Sequence, residues 1–360
     1  MRPSPPSATA PAANRSTMPR PTLVPGLRLL WRDRHTLQLG LDPSRATVLE
    51  IADPVIAKVL DLLDGEHTER GIVGYAARLG ITEEDTRGLL DALRAAGLLV
   101  AAQSLLPPTL PESTRRRLTT EAAALALRGA DSTRTPAQVL RRRAAARVVL
   151  AGGARLAAPL ATALADAGVG HVHPALHGLV TPGDLVAGVL RGSDLRQPRS
   201  AAVAAAIHRA APEAQTRAVR ASESSFVVHL GADRPAGLLA AGHARRRRPH
   251  LMTGVRDTTV VVGPLVPPGG RPCLHCVDLH RCDRDPDWPA LAAQLSTPGV
   301  EATTAATVLA AAGYVAAEVL GFLDGGAPET VGATVEISAP GRLRRRTWAP
   351  HPGCDCRRRR

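Results

Sequence analysis

The chain has 360 residues, a formal charge of +13, 44% hydrophobic residues and 2% aromatics. That length bounds it to about two domains, and the apolar content excludes a wholly disordered chain. Lys58 is its single lysine, so the charge is arginine; such usage beside abundant Ala, Gly and Pro reflects base composition as simply as it does an acidic partner, and the runs at 141–143, 245–248, 344–346 and 357–360 need not form one patch.

Residues 1–22 are rich in Pro, Ser and Ala and lack an apolar signal-peptide core. They read as a disordered tail, with Met18 a candidate start. Residues 23–102 form a first unit. Leu27 to Trp31 and Thr36 to Leu41 are apolar around the polar break Asp33-Arg34, which predicts a hairpin, and Ala46 to Ile51 predicts a third strand. Pro54 opens a helix through Leu63, closed by Asp64-Gly65. A second helix runs from Thr68 to Leu79. A third starts at Thr82, where Thr82-Glu83-Glu84-Asp85 places a cap and acid in the first turn, and ends at Ala96. Leu98-Leu99-Val100 closes the unit as a strand. This is a small winged-helix-like α+β domain. Residues 103–146 read as a connector, broken by Pro107-Pro108 and Pro111, with solvated Arg-rich turns at 115–117 and 141–143 and one helix around Glu121 to Leu127.

From Arg147 to Cys356 the pattern is α/β. Val148 to Leu150 is a buried strand, Gly152-Gly153 a turn, and Leu156 to Ala167 a helix. Gly168-Val169-Gly170 leads to a second strand, His171 to His173. A helix at Ala201 to Ala211 and a strand at Ser225 to Leu230 follow. His250 to Arg256 and Thr259 to Val266 form a hairpin about Asp257-Thr258. Ala302 to Leu323 is long and apolar enough to cross a bilayer, yet it is mostly small residues and contains Glu318, so it reads as a buried helix of a soluble, cytoplasmic protein. A second hairpin spans Val331 to Trp348, turning at Pro340-Gly341. Residues 357–360 are a basic tail.

Four cysteines lie in two clips, Cys273-Leu274-His275-Cys276 and Cys354-Asp355-Cys356. Two such clips suit one tetrahedral zinc of structural type, and their separation of roughly eighty residues would staple the chain end onto an internal loop. Reduced, unrelated cysteines are the plain alternative, and nothing marks the chain as secreted and disulfide-bonded. Cys282 is left over. His280, Arg281 and Arg284 around it favour a thiolate, although a spare thiol or an alternate zinc ligand is the simpler reading. His171, His173 and His177 carry a weak signal for a second metal.

The succession of glycine turn, helix, Gly-Val-Gly, strand, Pro272-Cys273-Leu274-His275-Cys276 and a late cysteine pair resembles the ThiF/MoeB superfamily, bacterial relatives of ubiquitin-activating enzymes, over about residues 147–356. Gly263-Pro264, and Ala316-Ala317-Glu318 through Leu323-Asp324-Gly325, add to the likeness. Residues 23–102 are similar to PqqD-like peptide-recognition domains, through the Leu62-Leu63-Asp64-Gly65 turn and the Gly97-Leu98-Leu99-Val100 ending. The resemblance implies a Rossmann-like domain, structural zinc on Cys273, Cys276, Cys354 and Cys356, and a site for ATP and magnesium. Its nucleotide-binding residues would be Gly152, Gly153, Arg155, Arg199 and Asp233.

This sequence departs from that pattern. Ala157 stands at the last glycine position. Pro174, Ala175 and Leu176 follow the second strand where an acid would hold the ribose, and Asp184-Leu185 begins a stretch without the phosphate-binding arginine motif. Arg199 stands where a lysine would be, and the two are not interchangeable. The family's reactive cysteine would fall near Ser296 to Val300, where there is none. The resemblance therefore implies a pseudoenzyme: a leader-peptide-binding and docking partner of a YcaO-type or similar modifying enzyme in ribosomal peptide biosynthesis, with a homodimer possible. An active adenylyltransferase and a basic winged-helix nucleic-acid binder are the alternatives. The acids Glu83, Glu84, Asp85 and Asp91 on the third helix speak against the last.

Overall fold

Burial alternates along Arg147–Gly152, and the buried set is Val148, Leu150 and Gly152. A strand with that pattern needs cover on one face, and the Ala-rich helices supply it. The structure, a computed structural model, describes residues 18–43, 46–51, 54–128, 133–231, 236–294 and 301–357. It divides into two units, Met1–Leu110 with Thr119–Gln138, and Pro111–Leu118 with Val139–Arg360.

The first unit contains β1 (Pro21–Leu23), β2 (Leu29–Trp31), β3 (Thr36–Leu39), β4 (Thr47–Glu50), α1 (Ala57–Leu60), α2 (Glu69–Arg78), α3 (Glu83–Ala95) and β5 (Leu99–Ala101). β2, β3 and β4 form an antiparallel sheet in that order, and β5 pairs antiparallel with β1. The sequence reading stopped the tail at residue 22, but β1 begins at Pro21, and the Met18 amide donates to Glu69 at 2.8 Å. The helix expected over 54–63 is one 3-10 turn, Pro54–Ile56, and the four residues of α1. Its N-terminus has no side-chain cap. The two longer helices do: Thr68 accepts from the Gly71 amide and Thr82 from the Asp85 amide. Leu37, Leu39, Ile72, Leu90 and Leu93 fill the core.

The stretch 103–146 holds two helices rather than one, α4 (Glu112–Arg128) and α5 (Pro136–Ala145). Arg115 and Arg116 were read as a solvated turn. They lie one helical turn beyond Glu112 and pair with it at 3.8 and 2.9 Å, which supports helix instead.

The second unit is a seven-stranded mixed sheet of order β12-β11-β10-β9-β8-β6-β7. Its strands are β6 (Arg147–Gly152), β7 (His171–Leu176), β8 (Phe226–Leu230), β9 (His250–Arg256), β10 (Thr259–Val266), β11 (Ala333–Ala339) and β12 (Arg342–Thr347). β7, β6, β8 and β9 are parallel and the rest antiparallel. Parallel neighbours need crossovers, here α6 (Ala157–Asp166), α7 (Arg199–Ala210) and α8 (Ala236–Arg245). α9 (Leu274–Cys282) and α10 (Trp288–Gln294) follow the hairpin of β9 and β10, and α11 (Ala305–Asp324) precedes β11. The sequence reading missed α8, α9 and α10.

α11 is a core helix. Val308, Ala311, Val315 and Val319 are buried in one cluster with α6, α7 and the strands. Thr304 caps its start and Gly325, at φ 88°, ends it. Glu318 is tolerated inside because its carboxylate accepts from the Glu329 amide at 3.0 Å, the Thr330 amide at 2.8 Å and the Thr330 hydroxyl.

Candidate functional site

Cys273 is the N-cap of α9, and Cys276 lies one turn in. Cys354 and Cys356 arrive with the end of the chain. The Cys273 sulfur lies 3.9 Å from that of Cys276 and 3.6 Å from that of Cys354, and Cys276 and Cys356 are 3.3 Å apart. All four sulfurs lie within 4.8 Å of one another. A tetrahedral zinc with sulfurs at about 2.3 Å requires edges of about 3.8 Å, so the set could hold a metal. Burial pushes the Cys273 thiol up to about 11, and the thiols of Cys276 and Cys354 add to the rise. The Cys273 thiol does not readily give up its proton alone, and a dication is its natural counterpart.

Neighbouring polar contacts seat the second clip. His351 bonds Asp283 at 2.8 Å and accepts from the Gly353 amide, while His280 bonds the Ala349 carbonyl at 2.9 Å. His280, Asp283 and His351 also lie close enough to share a metal. However, the amide at Nδ1 makes His351 Nε2 the donor to Asp283, so this group is satisfied without one. Cys282 stands apart. Burial raises its pKa, and Asp278 and Asp283 raise it further, so the thiolate expected from its basic neighbours is disfavoured. His171 and His173 do not form a metal group. Each bonds a backbone carbonyl, of Arg217 and Thr216 respectively.

The second cluster surrounds the glycine turn after β6. Gly152 has φ 118°, and a Cβ there would lie 2.2 Å from the Leu230 carbonyl oxygen, so only glycine fits. A Cβ on Gly153 would lie 2.9 Å from Arg199 and 3.1 Å from His177. The structure thus brings Gly152, Gly153, Arg155 and Arg199 together; Asp233 and the segment Ser296 to Val300 lie outside the described residues. β7 runs to Leu176, three residues further than the sequence suggested, because Leu150, Ala151 and Gly152 continue the ladder with Pro174, Ala175 and Leu176. The residue that follows the strand is therefore His177, again not an acid.

Both arginines are engaged by their own chain. Arg155 donates from Nε to the Gly183 carbonyl at 2.6 Å and from Nη1 to the Thr303 carbonyl. Arg199 donates to the His177 carbonyl at 3.0 Å and pairs with buried Asp184 at 2.9 Å, while its Nε is buried with no partner. Sequence reasoning missed Glu301. Its carboxylate accepts from the Arg155 backbone amide at 2.9 Å, at the mouth of the turn before α6. Burial raises the Glu301 pKa, Asp184 adds to this, and Arg155 and Arg199 oppose it.

No family model and no curated protein matches the sequence. Solved structures do match. The structure of E. coli MccB with ATP is 17% identical, with a TM-score of 0.65 over 93% of this chain and 99% of that one. That of the microcin C7 biosynthetic enzyme MccB with N-formylated MccA is 16% identical, with a TM-score of 0.64 over 93% and 99%. PaaA is also 16% identical, with a TM-score of 0.65 over 89% and 98%. The seven-stranded mixed sheet, the helices on it and the closing cysteine cluster are a fold of the ThiF/MoeB type.

Proposed function

We propose that this chain is a ThiF-type protein of ribosomal peptide modification. Its first unit, over residues 23–102, holds the leader of a precursor peptide as a PqqD-like domain would, and its α/β unit docks a modifying enzyme, of YcaO type or similar. The observation that carries this reading is β2. It pairs with β3 alone among the described residues, and Leu29, Leu30 and Trp31 are 40%, 38% and 46% exposed. An edge strand with exposed apolar side chains suits strand addition, in which main-chain hydrogen bonds give affinity and side-chain contacts give choice. MccB, solved with its MccA peptide, supports a peptide partner. α3 is a poor phosphate-docking helix, since Arg87 pairs with Glu83 and Arg94 with Asp91.

The α/β unit acts without its own adenylation on this reading. Glu301 places a carboxylate on the amide that a phosphate would need, and Arg155 is tied to backbone carbonyls. Zinc on Cys273, Cys276, Cys354 and Cys356 is structural, because four protein ligands leave no open position. An active adenylyltransferase is the second reading, favoured by the intact Gly152-Gly153 turn facing Arg199. Two assays on the full chain test the pair. Saturable binding of a leader peptide, lost in Leu29→Pro, whose amide faces the free edge, supports the first reading. ATP–pyrophosphate exchange stimulated by a peptide carboxylate would replace it with the second.

A further inference from the structure

Between the antiparallel end of the sheet and the helices after the first cysteine clip lies a cavity of about 210 Å³. Arg256 reaches it from the end of β9, Arg346 from β12, and Arg281 and Arg284 from α9 and its C-terminal end. Two of the chain's three tryptophans stand among them. The Arg281 guanidinium lies over the Trp288 ring at 5.0 Å, and those of Arg284 and Arg346 flank Trp348 at 5.1 and 5.8 Å. Guanidinium planes held on ring faces are restrained in orientation, which lowers the cost of fixing their hydrogen bonds.

The charges do not balance. Glu336 in the wall pairs with Arg256 at 3.5 Å. Asp278 accepts from Trp288 Nε1 at 2.7 Å and also attracts the Arg281 charge. No carboxylate among the described residues pairs directly with Arg281, Arg284 or Arg346. Four guanidiniums less two carboxylates leave an excess of two positive charges around one cavity. Burial, and then repulsion from Arg256, pull the Arg281 pKa below its ordinary value. Crowding like charges in a partly desolvated pocket is unfavourable unless an anion enters.

We propose that this cavity is a binding site for a phosphate dianion, taken up free or as the monoester of a small molecule. Phosphate and its monoesters carry about two negative charges at neutral pH, which matches the excess, whereas a single carboxylate matches half of it. Arginine forks also fit phosphate oxygens in pairs. None of the residues lining the cavity belongs to the glycine turn, and the site does not depend on the leader-binding reading.

The test uses the full chain carrying Trp31→Phe, so that Trp288 and Trp348 alone report by fluorescence. Orthophosphate is titrated at constant ionic strength, with chloride and acetate as controls. A saturable change with a submillimolar midpoint is expected from phosphate and none from the controls. Arg284→Gln, on the exposed rim where folding is undisturbed, and Arg281→Gln should each weaken it at least about tenfold, the worth of one strong charge-assisted hydrogen bond. Adenosine monophosphate binding more tightly than orthophosphate would identify a phosphorylated small molecule as the ligand, and weaker binding would identify phosphate itself. The proposal is overturned by no saturation below roughly 10 mM, by an equal response to acetate, or by titrations unchanged in both variants, which would mean an adventitious ion only.

Discussion

The backbone amide of Arg155 donates to the Glu301 carboxylate at 2.9 Å, across 146 positions of the chain. An amide at the mouth of a strand–glycine–helix turn is the group that meets a nucleotide phosphate in folds of this kind. Here the chain's own anion holds it. Glu301→Ala should therefore raise affinity for a non-hydrolysable ATP analogue by about tenfold or more, since a like charge beside the phosphates is removed. Calorimetry on both proteins measures this. Weaker binding by the variant would instead make Glu301 a contributor to the nucleotide site.

The same residue gives a pH signature. Its folded pKa is raised above the ordinary 4.5, chiefly by burial. Between those two values the folded chain holds a proton that the unfolded chain has lost. The stabilisation is complete below 4.5 and is lost as pH rises through the raised value. Glu301→Gln should remove that part of the pH dependence, and urea midpoints across about pH 4 to 8 would show the two profiles diverging.

The strands were largely legible because alternation and β-branched runs mark them, as at Thr259–Val266. The cysteine clips were legible because ligand pairs are local even when their partner is distant. The α3 start was legible from Thr82 and its acids. What could not be read was pairing at long range. Nothing local ties Glu301 to Arg155, or Arg346 and Trp348 to Arg284. β7 continues through Pro174 because it is the sheet's edge, where a missing amide costs little, and no local signal marked that extension. The first half of α4 was missed, although its second half was read as the helix around Glu121 to Leu127, because arginines counted as solvated turn residues are also good helix formers.

Removal of the metal should be costly. The Cys354–Cys356 clip attaches the chain end to α9 through sulfur contacts spanning 81 and 80 positions. A tetrathiolate zinc contributes on the order of 10 kcal/mol to the folded state. Purified protein should carry about one zinc per chain. Cys354→Ser should lower the melting midpoint by about 10 °C or more. Elemental analysis and a thermal melt check both, and a metal-free protein with an unchanged midpoint in the variant would refute the site.

Glu318 makes a separate prediction in the core. It is 5% exposed and serves two backbone amides and one hydroxyl in the Glu329–Thr330 turn. Glu318→Ala leaves those donors buried and unpaired, with an expected loss of about 3–5 kcal/mol by urea unfolding. Glu318→Gln keeps one acceptor oxygen and should fall between. If alanine were as stable as wild type, water would have to replace the carboxylate.

The edge of the first unit carries the functional prediction. β3 holds β2 through the pairs Leu29↔Leu39, Leu30↔Gln38 and Trp31↔Leu37, and β3 buries Leu37 and Leu39 beneath. The fold of the unit thus rests on β3, while β2 presents its outer edge and its exposed side chains. Leu90 and Leu93 of α3 are fully committed to the core, and Leu89 packs at its margin, half-buried. A leader peptide lying along β2 would take main-chain bonds from the strand and cover Leu30 and Trp31. Trp31→Ala should weaken leader binding by about tenfold or more, since an aromatic anchor at an interface is worth roughly 2 kcal/mol. Because Trp31 is nearly half exposed, the melting midpoint should move little. Leu29→Pro should abolish binding by removing an edge amide, because Arg28 bonds Gly40 and Arg32 bonds Thr36, and the alternation leaves the Leu29 amide facing outward. Isothermal titration of the full chain with the leader half of a precursor peptide reads both, and equal affinity across the three proteins would move the peptide site off this edge.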